Sequence, residues 1–154
     1  MKLLLAAISP QRSRAKKSEL DNLLADYTER IARYYPCETR FFASEPDLFD
    51  FAQKSSARTP VHILLLDSLG KQFTSEAFAA HLGKLRDTGA QQILFAIGPA
   101  NGWAPESRKA HPHSRSQISL GPMTLPHELA RVVLAEQIYR ACTILAGHPY
   151  HSGH

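Results

Sequence analysis

Two rhythms of apolar residues alternate along this chain. Leu3 to Ile8 is a short unbroken apolar run and reads as a buried strand. Ser18 then stands in capping position before "SELDNLLADYTERIARYY", where Leu20, Leu23, Leu24, Tyr27 and Ile31 recur on one face of a helix. "CETRFFA" predicts a second strand and "DLFDFAQK" a short helix. "VHILLLD" is apolar almost throughout, as strands covered on both faces tend to be. From Ser75, "EAFAAHLGKLRDTG" predicts a helix that stops at Gly89. "QILFAIG" and "SQISL" supply a fourth and a short fifth strand. The last helix runs from about Pro126 to Ala146, with proline at its start and Gly147 beyond its end. No internal repeat or low-complexity tract interrupts the pattern.

Strands alternating with helices imply an α/β fold, a mostly parallel sheet of about five strands with helices on both sides. The chain, residues 1–154, is expected to form one domain. Ligands of such sheets sit beyond the carboxyl ends of the strands. Three segments fall there: "LDSLGK" after the third strand, "GPANGW" after the fourth and "LGPMTLP" after the fifth. The last is unusual for a connector, because it joins Gly121, Pro122 and Pro126 in a rigid stretch with few charges. In the helix that follows, Leu129, Val132, Val133, Leu134, Ile138, Ile144 and Leu145 wrap most of the circumference. A helix apolar nearly all round is covered on more than one side; here the sheet and a second copy of the chain are the expected covers.

Composition changes this picture little. Of 154 residues, 44% are hydrophobic and 21% charged, as suits a single packed core. A net charge of +4 fits a nucleic-acid partner, although ordinary soluble proteins share it. Cys37 and Cys142 make no metal spacing and read as buried thiols in a reducing compartment. The opening "MKLLLAAISPQRSRAKK" lacks a cleavage pattern, and Pro10 ends its apolar run, so a first strand explains it better than a secretion signal. No run approaches the roughly 18 residues of a membrane span. The expectation is a soluble, cytoplasmic protein without a membrane partner.

The segments "LLLDSLGKQFTSEAFA", "FAIGPANGW" and above all "SLGPMTLPHELARVVLAEQIYRACTILAGHPYH" together resemble the small SPOUT-class (α/β-knot) RNA methyltransferases. The match is close to the ribosomal large subunit pseudouridine N3-methyltransferases, the RlmH group, and covers essentially the whole chain. The resemblance implies that the C-terminal part threads a loop to form a deep trefoil knot, which no periodicity could reveal. It implies S-adenosylmethionine (SAM) as methyl donor and a homodimer. Its acceptor would be pseudouridine in 23S ribosomal RNA, on assembled ribosomes or late large subunits. Carried over by position, the donor would touch Leu66, Gly98, Gly102, Leu120, Gly121, Pro122, Met123, Thr124 and Leu125. The rigid stretch is then the knotted loop that holds adenine by its backbone. Two departures stand out. Pro99 replaces the usual second glycine after "IG", removing a backbone donor. The segment between Gly102 and Leu120 is also longer than usual.

The acceptor N3 is a neutral imide that must lose its proton to attack, so a base, or a cation beside the developing charge, is needed. Candidates cluster toward the C-terminus: His127, Arg131, Arg140, His148, Tyr150 and His151. The resemblance places Tyr150 and His151 on an ending that closes over the active site; without it, the tail reads as a solvated terminus. His127 suits a helix start as well as it suits catalysis. Arg140 either pairs with Glu136 four residues earlier or reaches RNA or a partner subunit. Asp67 reads as a turn residue or a ribose ligand, and Trp103 as a rim residue or a base-stacking platform. His148, His151 and His154 recur at intervals of three, but no cysteine or acidic ligand stands near them, so no metal site is expected. Arg12, Arg14, Lys16 and Lys17, and Arg108, Lys109 and Arg115, read as phosphate contacts or as solvated loops. The competing readings are a non-catalytic RNA-binding protein on this fold and a metal-dependent enzyme using the histidine tail.

Overall fold

The computed structural model describes residues 1–10, 16–109 and 115–153. Five strands, β1 (Lys2–Ile8), β2 (Cys37–Phe42), β3 (Val61–Gln72), β4 (Gln92–Ile97) and β5 (Arg115–Ser119), form one sheet in the order β2-β1-β4-β3-β5. Every neighbouring pair is parallel, and alternate residues of β1, β3 and β4 therefore feed two separate cores. Leu3, Leu5, Leu64, Ile93 and Phe95 point to one side, Leu4, Ala6, Leu65, Leu94 and Ala96 to the other. This two-sided burial is why these strands read as continuous apolar runs.

The helices are α1 (Glu19–Ala32), α2 (Glu45–Ser56), α3 (Ser75–Asp87), α4 (Pro105–Arg108) and α5 (His127–Leu145). Ser18 caps α1 in a reciprocal box: its hydroxyl accepts from the Asp21 N–H, and the Asp21 carboxylate accepts from the Ser18 N–H at 2.8 Å. Helix α2 begins two residues before the expected Asp47, because Ser44 caps it and Pro46 occupies its first turn. Thr74, not Ser75, caps α3; Ser75 instead donates to Gln137 of α5. The one-turn α4 has no apolar periodicity of its own and was not expected.

Two differences from the sequence reading matter for the site. "LDSLGK" is not a turn after β3. The strand bulges between Leu66 and Lys71, both of which register with Ile118, and then continues to Gln72. Gly70 makes this possible, since a Cβ there would lie 2.6 Å from the Ile118 carbonyl carbon. The near-complete apolar wrap of α5 also has covers within the chain. Helices α1 and α3 flank it and the sheet lies beneath, burying Val132, Leu134, Ile138 and Cys142. Leu129 remains partly exposed, and Val133, Ile144 and Leu145 are half-buried. Cys142 is buried and Cys37 half-buried; burial pushes both thiols up to about 12. Among the described residues, no helix is long and apolar enough to cross a membrane.

Candidate active site

At the carboxyl edge of the sheet the β3 bulge and the ends of β4 and β5 surround a cleft of about 570 Å3. Leu66, Gly98, Gly102, Leu120, Gly121, Met123, Thr124 and Leu125 all line it, so the structure brings together every expected donor contact except Pro122. Gly121 has φ +126°, a conformation that side chains disfavour. Ser119 fixes it: its hydroxyl accepts from the Gly121 N–H and lies 3.1 Å from the Gly121 carbonyl. His127 lines the same cleft, and its Nε2 stands 2.9 Å from the Gly98 carbonyl. A carbonyl only accepts, so Nε2 carries the proton, and the neutral ring has its unprotonated nitrogen at Nδ1. This bond ties the start of α5 to the end of β4.

Residues 99–109 form a strap across one side of the cleft. Its turn opens at Pro99, whose carbonyl accepts from the Gly102 N–H at 2.9 Å, with Gly102 at φ +84°. Pro99 thus serves as a turn opener, and its missing N–H costs no bond here. Trp103 is only 4% exposed, donates from Nε1 to the Leu66 carbonyl at 2.8 Å, and packs near Phe49, so it is no base-stacking platform. Gly98 is a glycine for the same reason: a Cβ there would lie 2.8 Å from the Trp103 indole. Glu45 anchors the strap from below, accepting from the Ala104 N–H and the Ser107 hydroxyl. The Asp67 side chain is 2% exposed and closed to a ribose. One carboxylate oxygen accepts from the Leu69 N–H, and the other pairs with Arg108 Nε at 2.7 Å. The Asp67–Arg108 and Glu45–strap contacts escaped sequence reasoning because they join residues dozens of positions apart.

The other catalytic candidates lie elsewhere in the same chain. Arg140 pairs with Glu136, Nη2 to Oε1 at 2.6 Å, the simpler of its two readings. Tyr150 folds back to donate to Glu136 at 3.2 Å and meets Tyr139 edge-on, ring centroids 4.8 Å apart. Burial, then the Glu136 charge, pushes its phenol up to about 12. His151 Nε2 lies 2.8 Å from the Glu76 carboxylate, and Arg140 Nη1 lies 3.4 Å from Nδ1. Glu76 in turn is held down to about 2 by its backbone N–H bond and then by His151. The tail is therefore docked on α3 and α5. None of Tyr150, His151 and Arg140 lines the cleft. Arg140 is 13 residues after His127 on one helix, about 20 Å along its axis. A smaller hollow of about 200 Å3, bounded by Phe73, Phe78, Val133 and Gln137, shares Ser119, Leu120 and Gly121 with the cleft.

The remaining candidates divide simply. Arg131 is buried against Asp21 of α1, with its guanidinium 4.3 Å from the Phe41 ring, and holds two helices together. The His148 Nδ1 accepts from the Tyr150 N–H. Lys16, Lys17 and Lys109 are exposed and open to phosphate, whereas Arg108 faces the cleft. Arg12, Arg14, His154 and the side chain of Arg115 lie outside the described residues.

A five-stranded parallel sheet whose last loop and last helix build one cleft at its carboxyl edge defines the class. A family described as predicted SPOUT methyltransferase matches residues 1–151, and the chain belongs to that family. Within it, the chain is 45% identical over 141 residues to the ribosomal RNA large subunit methyltransferase H of Koribacter versatilis strain Ellin345, covering 92% of this chain and 94% of that protein. It is 50% identical over 91 residues to the protein of the same name from Nitrobacter hamburgensis, an alignment that covers 59% of this chain and 55% of that one. Among solved structures, the SpoU methyltransferase AviRb from Streptomyces viridochromogenes, crystallised in complex with the cofactor AdoMet, shares the fold. The TM-score is 0.50 at 11% identity, over 90% of this chain and 57% of that one.

Proposed function

We propose that this protein is a SAM-dependent methyltransferase that modifies N3 of a pseudouridine in 23S ribosomal RNA, on assembled ribosomes or late large subunits. The observation that carries this reading is the convergence of eight of the nine expected donor contacts on one cleft. The cleft fits the donor: about 570 Å3 lies within the usual range for small-molecule sites. Leu66, Ile97, Leu120 and Leu125 offer apolar walls for an adenine, and the Leu120–Leu125 backbone offers hydrogen-bonding groups at its edge. When bound, SAM supplies a methyl group on a sulfonium, open to in-line displacement.

The chain's own residues then hold, orient and take a proton. Ser119 and Gly121, at a positive φ that glycine adopts freely, fix the loop against which the donor rests. His127 lines the cleft, with its Nε2 held on the Gly98 carbonyl, and is the base candidate that stands there. Tyr150, with its phenol pushed up to about 12 and its O–H donated to Glu136, positions the acceptor and is not its base. Arg140 stabilises the charge that develops on the deprotonated imide, and His151, held between Glu76 and Arg140, orients it. Because this group lies about 20 Å along α5 from His127, we assign the complete site to a homodimer, each cleft served by the tail of the other chain. The trefoil knot implied by the family resemblance belongs to this reading, as does a cytoplasmic location.

The test is SAM-dependent labelling of ribosomes from cells lacking this protein, followed by nucleoside analysis. A single methylated pseudouridine in the large-subunit RNA is the expected product. Tight RNA binding without any transfer would favour a non-catalytic binding protein instead.

A further inference from the structure

Three titratable side chains line the cleft: Asp67, Arg108 and His127. His127 is engaged with Gly98, and the Asp67 side chain is 2% exposed with both oxygens bonded. Arg108 differs. Its Nε is fixed by Asp67, but its side chain is 37% exposed, and neither Nη group has a hydrogen-bond partner among the described residues. Its backbone is also held, because the Gln117 side chain donates to the Arg108 carbonyl at 2.6 Å. Gly102 lies beside the guanidinium: a Cβ there would sit in ordinary contact, 3.4 Å from Nη2. The result is a planar cation in the wall of a ligand cleft, held along its Nε edge and with its Nη groups left for a ligand. That is the geometry in which arginine grips a carboxylate with two parallel bonds.

We infer that Arg108 anchors the α-carboxylate of the methyl donor's amino-acid end, with Asp67 as the positioning residue that aims the guanidinium. The inference rests on the cleft being the SAM site. Asp67 does not cancel the cation for this purpose. It occupies the Nε side and shares its charge with the Leu69 N–H, leaving the outer fork for a second carboxylate. The strap's anchoring through Glu45 and Trp103 then acquires a role, since it sets the distance between this fork and the adenine-binding loop. An RNA phosphate is the other anion a guanidinium could meet, but the fixed Nε edge and the position within the cleft wall favour the small ligand.

The experiment is calorimetric titration of the full chain and of Arg108→Gln with two ligands, SAM and 5′-methylthioadenosine, which keeps the adenosine and the sulfur but lacks the amino-acid end. Arg108→Gln should weaken SAM by about 10- to 100-fold, the usual range for a charge-assisted pair, and leave methylthioadenosine within about twofold, an order-of-unity change. The double variant Asp67→Asn/Arg108→Gln removes both charges together. It should show the same selective loss even if the single variant is compromised by an unpaired buried carboxylate. Equal losses for both ligands, or an unchanged affinity for SAM, would overturn the inference. So would lost RNA affinity with SAM binding intact, which would make Arg108 a phosphate contact. If the unaltered protein binds neither ligand, the donor assignment itself fails, a result distinguishable because it precedes any substitution.

Discussion

At the scale of single residues, two cleft glycines answer to different physics. A Cβ on Gly121 would meet nothing within 4 Å, yet φ +126° is a conformation that other residues resist. Alanine there should cost about 1–3 kcal/mol of backbone strain, relieved by moving the loop. SAM affinity should accordingly fall roughly tenfold or more. If crowding of the ligand were the only issue, Gly121→Ala would bind normally and only a larger side chain such as valine would fail; calorimetry separates the two. Gly98 is the converse case, since its Cβ would strike the Trp103 indole, and overpacking of that kind typically costs about 1–3 kcal/mol. Urea unfolding of Gly98→Ala should show that loss directly. The positions of both glycines were legible in the sequence, but their reasons were not. "IGPANGW" looked like a ligand loop, whereas a tryptophan five residues later dictates its first glycine. Arg108 was read as an RNA contact because nothing local ties it to Asp67, 41 positions away.

At the scale of elements, the five strands and the four longer helices were legible because two-sided burial and capping residues leave local marks. The β3 bulge and the short α4 leave none: one depends on a single glycine passing the backbone of another strand, the other on Glu45 of a distant helix. Two elements make separate predictions. His62 on β3 and His81 on α3 both have pKa values lowered, chiefly by burial. The unfolded chain therefore takes up protons as pH falls through the ordinary value of 6.5, where the folded chain does not. Stability should drop below that pH, and His81→Leu, which also removes a buried Nε2 with no hydrogen-bond partner among the described residues, should flatten the slope in urea titrations at pH 5 to 7. A slope unchanged by the substitution would place the acid sensitivity elsewhere. The tail makes the second prediction. Removing residues from Tyr150 onward forfeits the edge-on Tyr139 contact, worth about 0.5–1.5 kcal/mol, and little core. The truncated chain should fold and bind SAM, yet methylate ribosomes at least ~100-fold more slowly. Turnover at the intact rate would return the tail to a solvated end.

At the scale of the whole molecule, cleft and tail pose one problem. The donor loop sits at the N-terminal end of α5, while Arg140, Tyr150 and His151 gather around its later turns. Arg140 stands about 20 Å along α5 from His127, so in the arrangement observed one chain does not bring these two groups to the same acceptor. The apolar wrap of α5 does not itself demand a partner, since α1 and α3 supply much of the cover. The surface near the cleft is more telling, for Met123 is 84% exposed and Leu69 76%. Sedimentation at micromolar concentration should give about twice 17.1 kDa. The decisive experiment mixes two inactive chains. One carries Gly121→Val and so has a dead cleft but an intact tail; the other ends before Tyr150 and has a working cleft without a tail. If each chain serves its own cleft, every mixed dimer is inactive. If tails serve the opposite cleft, unfolding and refolding the two together must restore one working site per mixed dimer, and methylation of ribosomes should return to about a quarter of the intact rate. That figure follows from half of the dimers being mixed, each with one of two sites alive, when pairing is random and equally strong. No recovery would break the two-chain assignment and return each tail to its own cleft, beside His127 of the same chain.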